Sequence, residues 1–346
     1  MHSMKTNLKS LSKTELIQFI ERMGQKPYRS KQIISWLYKK LAASFDEMTD
    51  LSKEFRGDLE KKAYISNLVL LQKQVSSDGT IKFLFELEDG ESIESVLIPN
   101  TKGEASYTLC ISSQVGCAMK CLFCKTGGLG LKRNLKSYEI VDQVISSKRL
   151  VANGEITNIV FMGMGEPLNN FMEVRDALII ITELIGYSKR KITVSTSGIV
   201  PGIKRLADEG PDVNLAISLN ASTDEIRTRI MPINKKHPLE KLMKACRGFP
   251  LAPRRRITFE YVLIGGVNDT VEDAERVAEL LKGIRSKVNL IPYNPVDPSN
   301  SLKKPSEGRV LKFQDIINNA GITTIIRKSK GSDISAACGQ LKAGYK

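Results

Sequence analysis

Apolar residues recur at helical spacing near the start of the chain. Leu16, Ile17, Phe19, Ile20 and Met23 mark one face of a helix that Ser12 and Glu15 open as a capping box and Gly24 closes. A second helix carries Ile33, Ile34, Leu37 and Leu41, and a third carries Leu51, Phe55 and Leu59. The pattern predicts a small helical domain over residues 1–65. The period then changes to two: Ile81, Phe83, Phe85 and Leu87 alternate with polar residues between the turn signals Asp78-Gly79 and Asp89-Gly90. With the following "ESIESVLIP" this predicts a short β-meander, an extension or linker over 66–106. In that last strand Glu94 shares a face with Val96 and Ile98. If the face is inward, desolvation raises the carboxyl's pKa and suits it to proton transfer near neutrality; on a solvent-facing edge it is an ordinary surface charge.

From residue 107 the two periods alternate. "YTLCIS", "ITNIVFMG", "KITVSTSG", "VNLAISLN", "RITFEYVLIGG" and "KVNLIPYNP" read as strands, and 137–153, 171–186 and 271–284 are amphipathic stretches between them. Such alternation predicts an α/β fold with parallel strands and crossover helices, and six units are too few for a closed eightfold barrel. The strand ends carry small and polar residues: Gly163, Gly165 and Glu166 after the second, Ser195 after the third, Ser218 and Asn220 after the fourth, and Asn294 after the last. In α/β barrels that rim holds the functional groups. "FMGMGEPL" is also readable as a tight βα turn, and with Leu168 where a third glycine would stand it is not a dinucleotide fingerprint.

Among 346 residues, 52 Lys and Arg face 38 Asp and Glu, a formal charge of +14. That surplus suits a polyanionic partner such as nucleic acid, though a merely soluble basic protein has the same balance. The lysines and arginines of the helical domain (Lys26, Arg29, Lys31, Lys39, Lys40, Lys61, Lys62) are candidates for phosphate contact or for a solvated face. No apolar run is long enough for a bilayer, and "MHSMKTNLKSLSKTEL" lacks the apolar core of a signal peptide. The expected location is the cytoplasm, with the first residues before Met4 a possible leader.

Of six cysteines, Cys117, Cys121 and Cys124 crowd into "CAMKCLFC". Gaps of three and then two residues let one loop turn three thiolates toward a common centre. Structural zinc wants four ligands, commonly in two close pairs, and the chain offers no second pair and only His2 and His237 as imidazoles. A [4Fe-4S] cube held by three cysteines fits better and keeps one iron open for chemistry. A lone cysteine such as Cys246 is by default a small core residue.

"CAMKCLFC", with Phe123 before its last cysteine, resembles the signature of the radical S-adenosylmethionine (radical SAM) enzymes. The resemblance implies a partial (β/α)6 barrel over 107–330, a [4Fe-4S] cluster on Cys117, Cys121 and Cys124, and S-adenosylmethionine (SAM) on the open iron. It further implies SAM contacts from Gly165, Glu166, Ser195, Ser218, Leu219, Asn220 and Asn294, Glu166 taking the ammonium and Asn294 the adenine. One electron from the cluster then gives a 5′-deoxyadenosyl radical.

Cys110 in "TLCISSQVGC", Cys338 in "GSDISAACGQL", and "ESVLIP", "FMGMGEPLNN", "STSGIVP" and "MPINKKHPLEKL" narrow the likeness to the adenine-C2 RNA methyltransferases of the RlmN type. It runs from about Gln25 to the end. The resemblance implies methylation of C2 of an adenosine in 23S rRNA and of the adenosine 3′ of the anticodon in certain tRNAs, with two SAM per turnover. Cys338, in a C-terminal segment over 331–346, would be methylated by the first SAM; its methylene radical would add to C2. Cys110 would release the product as a Cys110–Cys338 disulfide, which a thiol reductant resets. Glu94 would accept the C2 proton, with Cys110 as the competing acceptor. An electron donor such as a flavodoxin system is a further implied partner. Asn220 departs from the family's usual histidine. Two alternatives stay open on the residues: a related enzyme methylating C8 with the same cysteines, and a non-catalytic zinc-stabilised RNA-binding protein.

Overall fold

In the computed structural model, which describes residues 5–100, 106–151, 153–296 and 301–343, Ser12 opens α1 (Lys13–Arg22) with both bonds of the capping box. Its hydroxyl accepts the Glu15 amide, and the Glu15 carboxylate accepts the Ser12 N–H at 2.8 Å. The helices α2 (Tyr28–Tyr38) and α3 (Lys53–Lys62) follow. Leu16, Phe19, Ile20, Ile33, Leu37, Phe55 and Leu59 are buried, while Lys26, Lys31, Lys39, Lys40, Lys61 and Lys62 stay exposed and Arg29 half-buried.

Ten strands form the main sheet among the described residues, and their spatial order repeats their order in the chain. The meander is β1 (Val69–Val75), β2 (Ile81–Glu86) and β3 (Ser92–Pro99), paired antiparallel through to β4 (Ser106–Cys110). From β4 onward every neighbour is parallel: β5 (Glu155–Phe161), β6 (Ile192–Thr196), β7 (Asn214–Ser218), β8 (Ile257–Leu263), β9 (Ser286–Pro292) and β10 (Thr324–Ile326). The six strands expected from periodicity are β4 to β9. The seventh parallel strand, β10, has three residues, too few to show a period.

Crossover helices lie between the parallel strands, as right-handed connections require. They are α4 (Ser137–Leu150), α5 (Phe171–Ile179), α6 (Val200–Glu209), α7 (Asp224–Ile230), α8 (Leu239–Arg247), α9 (Val271–Leu281) and α10 (Glu307–Asn319). None of the described helices is long and apolar enough to cross a membrane.

One apolar core runs from the N-terminal helices into the barrel, and α4 ties the two. Arg149 donates to the carbonyls of Leu41 and Ala42 and to Asn67. Deeper in, Lys9 is wholly buried, its ammonium bonded to Asp142 and to the Ser66 carbonyl at 2.6 Å. Burial pushes the Lys9 pKa down and the Asp142 pKa up; their mutual attraction opposes both shifts, and the Ser66 hydroxyl and Arg149 also favour the Asp142 carboxylate. Removing one partner of such a pair leaves the other charge uncompensated, at about 3–5 kcal/mol. Lys9→Ala is therefore expected to lower the thermal midpoint of the purified protein by several degrees, measured by calorimetry.

The meander's turns form where Asp-Gly pairs stand, with Gly79 and Gly90 at φ +83° and +80°. Its alternation, however, does not separate a wet face from a dry one. Phe83 and Phe85 are buried on one side, and Lys82, Leu84 and Glu94 are buried as well. The second face is covered by the C-terminal segment: the Asp333 carboxylate accepts the Ser76 hydroxyl at 2.6 Å and the Ser77 amide, and the Asp78 carboxylate accepts the Gly331 N–H at 2.8 Å. The meander is a cradle for that segment.

Candidate active site

The three clustered cysteines sit in the loop of a hairpin formed by Gln114–Cys117 and Gly130–Asn134. The hairpin closes because Gly116 takes φ +76° and has no side chain: a Cβ there would lie 1.9 Å from the Gly130 carbonyl oxygen. Gly116→Ala is expected to open the hairpin and lower the iron bound per chain severalfold in reconstituted protein, measured by iron analysis.

Cys117, Cys121 and Cys124 line one cavity together with Gly163, Gly165, Glu166, Ser195, Ser218, Asn220, Asn294 and Cys338. Burial pushes the Cys117 thiol up to about 12 and the Cys121 thiol well above its ordinary value, and the neighbouring cysteines add to both shifts. Coordinated iron reverses that balance by stabilising the thiolates. Among the described residues no three His, Cys, Asp or Glu side chains gather as a single metal ion needs. What speaks for a cluster is the donor set: three thiolates on one cavity, the ligand number of a [4Fe-4S] cube with an open iron.

Glu166 is buried, and burial raises its pKa against the hydrogen bonds it accepts. It takes the Ser197 amide at 2.6 Å and the Leu168 amide at 3.1 Å, and no cation of the described residues pairs with it. A ligand ammonium on the cavity side would supply the missing countercharge. Gly163 and Gly165 line the cavity, but the close approach they permit is to the chain itself. A Cβ on Gly163 would lie 2.6 Å from the Ile111 carbonyl, and one on Gly165 would lie 2.6 Å from the Gln114 Cβ.

Asn220 takes φ +57°, a left-handed conformation that asparagine tolerates better than most residues. Its side-chain oxygen accepts the Val262 amide at 2.7 Å and its amide donates to the Met231 sulfur. Asn294 accepts the Ser329 hydroxyl and donates to the Cys338 carbonyl at 3.4 Å. Leu219 is not brought to the cavity. Its side chain is buried in the main core, its amide bonds the Glu260 carbonyl and its own carbonyl accepts Arg227. Cys246 is likewise buried in the main core.

Cys338 reaches the cavity from the C-terminal segment, which the cluster loop holds: the Lys125 amide donates to the Gly339 carbonyl at 2.7 Å and the Thr126 hydroxyl to the Leu341 carbonyl at 2.7 Å. The thiol is accessible from the cavity yet enclosed by protein, and this enclosure pushes it up to about 12, with Glu260, Cys124 and Cys110 adding to the shift.

Cys110 and Glu94 lie outside the cavity lining, on the sheet face behind the segment. Cys110 pairs with Val96 across β3 and β4 and packs with Met164, Ala336 and Leu341 in a small separate core. Burial pushes its thiol up to about 12. The inward alternative for the Glu94 face is the one observed. Glu94 pairs with Lys82 at 3.1 Å and accepts the Lys342 and Ala343 amides at 2.7 and 3.2 Å. The carboxylate thus also clamps the C-terminal segment, a role the strand pattern does not announce.

Three residues of this neighbourhood escape the sequence pattern. Ser197 lines the cavity, and its backbone amide donates to the Glu166 carboxylate. Glu260 on β8 lines it with a buried carboxylate bonded to Asn289 at 2.8 Å; a charged residue inside the apolar run "ITFEYVL" was the available signal. Arg227 lies beneath the cavity floor.

Residues 6–65 match the family model described as the ribosomal RNA large subunit methyltransferase N-terminal domain, and residues 111–281 match the radical SAM superfamily. The chain is 52% identical to the dual-specificity RNA methyltransferase RlmN of Pelobacter propionicus, over 98% of this chain and 96% of that protein. It is 54% identical to the RlmN of Geobacter sulfurreducens, over 97% and 92%. The crystal structure of a radical SAM methyltransferase from Sphaerobacter thermophilus superimposes with a TM-score of 0.91 at 43% identity, covering 98% of this chain and all of that one. The cofactors are accordingly a [4Fe-4S] cluster and SAM. With these relatives matching nearly end to end, the chain belongs to the RlmN family of dual-specificity RNA methyltransferases.

Proposed function

We propose that the protein methylates C2 of an adenosine in 23S rRNA and of the adenosine 3′ of the anticodon in certain tRNAs, with Cys338 as the methyl carrier. The observation that carries this reading is the position of Cys338: on the wall of the cavity that also holds Cys117, Cys121 and Cys124, in a segment whose other side covers Cys110 and Glu94. Cys117, Cys121 and Cys124 would hold the cluster, and Glu166, Ser195, Ser218, Asn220 and Asn294 the SAM. When bound, these cofactors supply a methyl group and one-electron, hydrogen-abstracting chemistry.

The chain's own residues do the rest. Cys338 gives up its thiol proton and becomes a thioether, which carries the methyl carbon to the base. C2 of adenine is electron-poor and offers no nucleophile to an ordinary methyl donor, so a carbon radical on the Cys338 side chain is the species able to add there. The radical adduct must then lose the C2 proton and one electron, which the oxidised cluster would take back. The Cys110 thiolate attacks the Cys338 sulfur, the Cys338 S–CH2 bond breaks, and the carbon keeps the electron pair and takes a proton to become the methyl group. This frees the RNA and joins the two cysteines. An external thiol reduces that disulfide, and a flavodoxin-type donor supplies electrons. Glu94, close behind the segment, is the candidate acceptor of the C2 proton; to act it must let go of the Lys342 and Ala343 amides. The reaction belongs to the cytoplasm, where both reductants are found.

The target base has to leave its stack to reach the cavity, which favours loops and other exposed adenosines. The N-terminal lysines and the net charge of +14 supply phosphate contacts. Affinity for an RNA hairpin is expected to fall by at least about tenfold between 50 and 200 mM salt, read by a filter-binding titration. Anaerobic turnover of a 23S rRNA fragment with methyl-labelled SAM tests the reaction. 2-Methyladenosine in the nuclease digest is the expected product, and 8-methyladenosine or a colourless, iron-free protein overturns the reading.

A further inference from the structure

Arg227 on α7 is fully buried, and its guanidinium donates to three backbone carbonyls and one side-chain amide. Nη2 donates to the Ser197 carbonyl at 2.6 Å and to the Ser218 carbonyl at 3.2 Å, Nε to the Leu219 carbonyl at 3.0 Å, and Nη1 to the Asn234 side-chain oxygen at 2.9 Å. Three of these four acceptors belong to the segments that end β6 and β7, where Ser195, Ser197 and Ser218 line the cavity. The same short helix holds the cluster loop: the Leu122 amide donates to the Ile230 carbonyl at 3.0 Å, and Met231, whose amide closes the helix on the Arg227 carbonyl, lines the cavity. One helix therefore fixes the cysteine loop at its last turn and the strand ends through Arg227.

The charge has no carboxylate partner at ion-pair distance among the described residues. Burying an unpaired cation is costly, and burial draws the Arg227 pKa down to about 10, with the nearby Cys121 opposing that shift most strongly. The Asp224 carboxylate reaches the guanidinium only through Asn234, whose amide donates to that carboxylate at 2.8 Å, and thiolates carrying a cluster on the cysteine loop, which the same helix holds, would add countercharge.

We propose that Arg227 is a positioning residue: its guanidinium locks the SAM-binding strand ends to the helix that carries the cysteine loop, and its buried charge balances the thiolate-bound cluster. The planar fork is essential to the first role, because an ammonium cannot satisfy carbonyls on two strands and an asparagine from one rigid frame. This inference rests on the assignment of Cys117, Cys121 and Cys124 to the cluster.

The test compares reconstituted wild-type protein with Arg227→Lys and Arg227→Met. The measurements are thermal midpoint, iron content, the midpoint potential of the cluster, and SAM affinity from the change SAM causes in the electron paramagnetic resonance of the reduced cluster. Arg227→Lys is expected to keep the potential while weakening SAM about tenfold. Arg227→Met is expected to weaken SAM at least as much and to move the potential to more negative values, because an added electron loses a nearby positive charge. Unchanged SAM affinity and potential in Arg227→Met overturn the proposal. So does the failure of both variants to yield folded apoprotein, which would reduce Arg227 to a folding role. Absence of iron from the wild-type protein instead strikes the cluster assignment beneath it.

Discussion

Cys121→Ala is expected to leave reconstituted protein with little iron and to reduce methylated RNA by at least about a thousandfold, measured together by iron analysis and nucleoside mass spectrometry. On the proposed assignment each of the three thiolates would hold one corner of the cube, and no other His, Cys, Asp or Glu cluster among the described residues stands ready to replace one. The substitution itself is mild for the fold. Cys121 is half-buried beside Ile230, Met231 and Tyr293 in a minor apolar cluster, and alanine leaves only a small space there. Near-wild-type thermal stability of the apoprotein therefore separates loss of the cluster from loss of structure. Iron and methylation at wild-type levels would remove the three-cysteine site from the reaction.

What the residues reveal in advance depends on how far apart the interacting groups lie in the chain. The cysteine loop is legible because its three sulfurs fall within eight residues of one hairpin. The strand ends are legible because each closes a run of apolar residues, so Ser195 and Ser218 fall on the rim by position alone. The same alternation places Leu219 on the opposite side from Ser218 and Asn220, and the structure buries it in the main core accordingly. By contrast, Glu94 meets the backbone of Lys342 and Ala343 nearly two hundred and fifty residues later. No local period encodes such a contact. The second face of the meander is dry for the same reason: its cover arrives from the far end of the chain. Arg227 is hidden more deeply, because "DEIRTRI" reads as a polar surface helix. Only the tertiary convergence of three carbonyls accounts for a buried guanidinium there.

Cys338 and Cys110, the one open to the cavity and the other buried behind it, should fail in different ways. On the proposed mechanism Cys338→Ala removes the atom that would take the methyl group, so methylated RNA is expected to fall by at least about a thousandfold while the protein keeps its iron and still binds SAM. Peptide mapping should find an added methyl or methylene on Cys338 of the wild-type protein and nowhere else. Cys110→Ala leaves the carrier intact, so carbon transfer to the base proceeds, but nothing remains to attack the Cys338 sulfur. The expected product is RNA covalently joined to Cys338, seen as a protein band of increased mass that nuclease digestion shortens to a protein carrying one nucleotide. The placement of Cys110 supports this division of labour: it lies in the small core with Ala336 and Leu341, residues that flank Cys338, and not on the cavity where the cofactors bind. Burial pushes its thiol up to about 12, which in this arrangement keeps it in the protonated, weakly nucleophilic form near neutral pH. If Cys110→Ala releases free methylated RNA at the wild-type rate, the disulfide-forming step is wrong. If Cys338→Ala still methylates RNA, the carrier itself is wrong, whatever the cluster does.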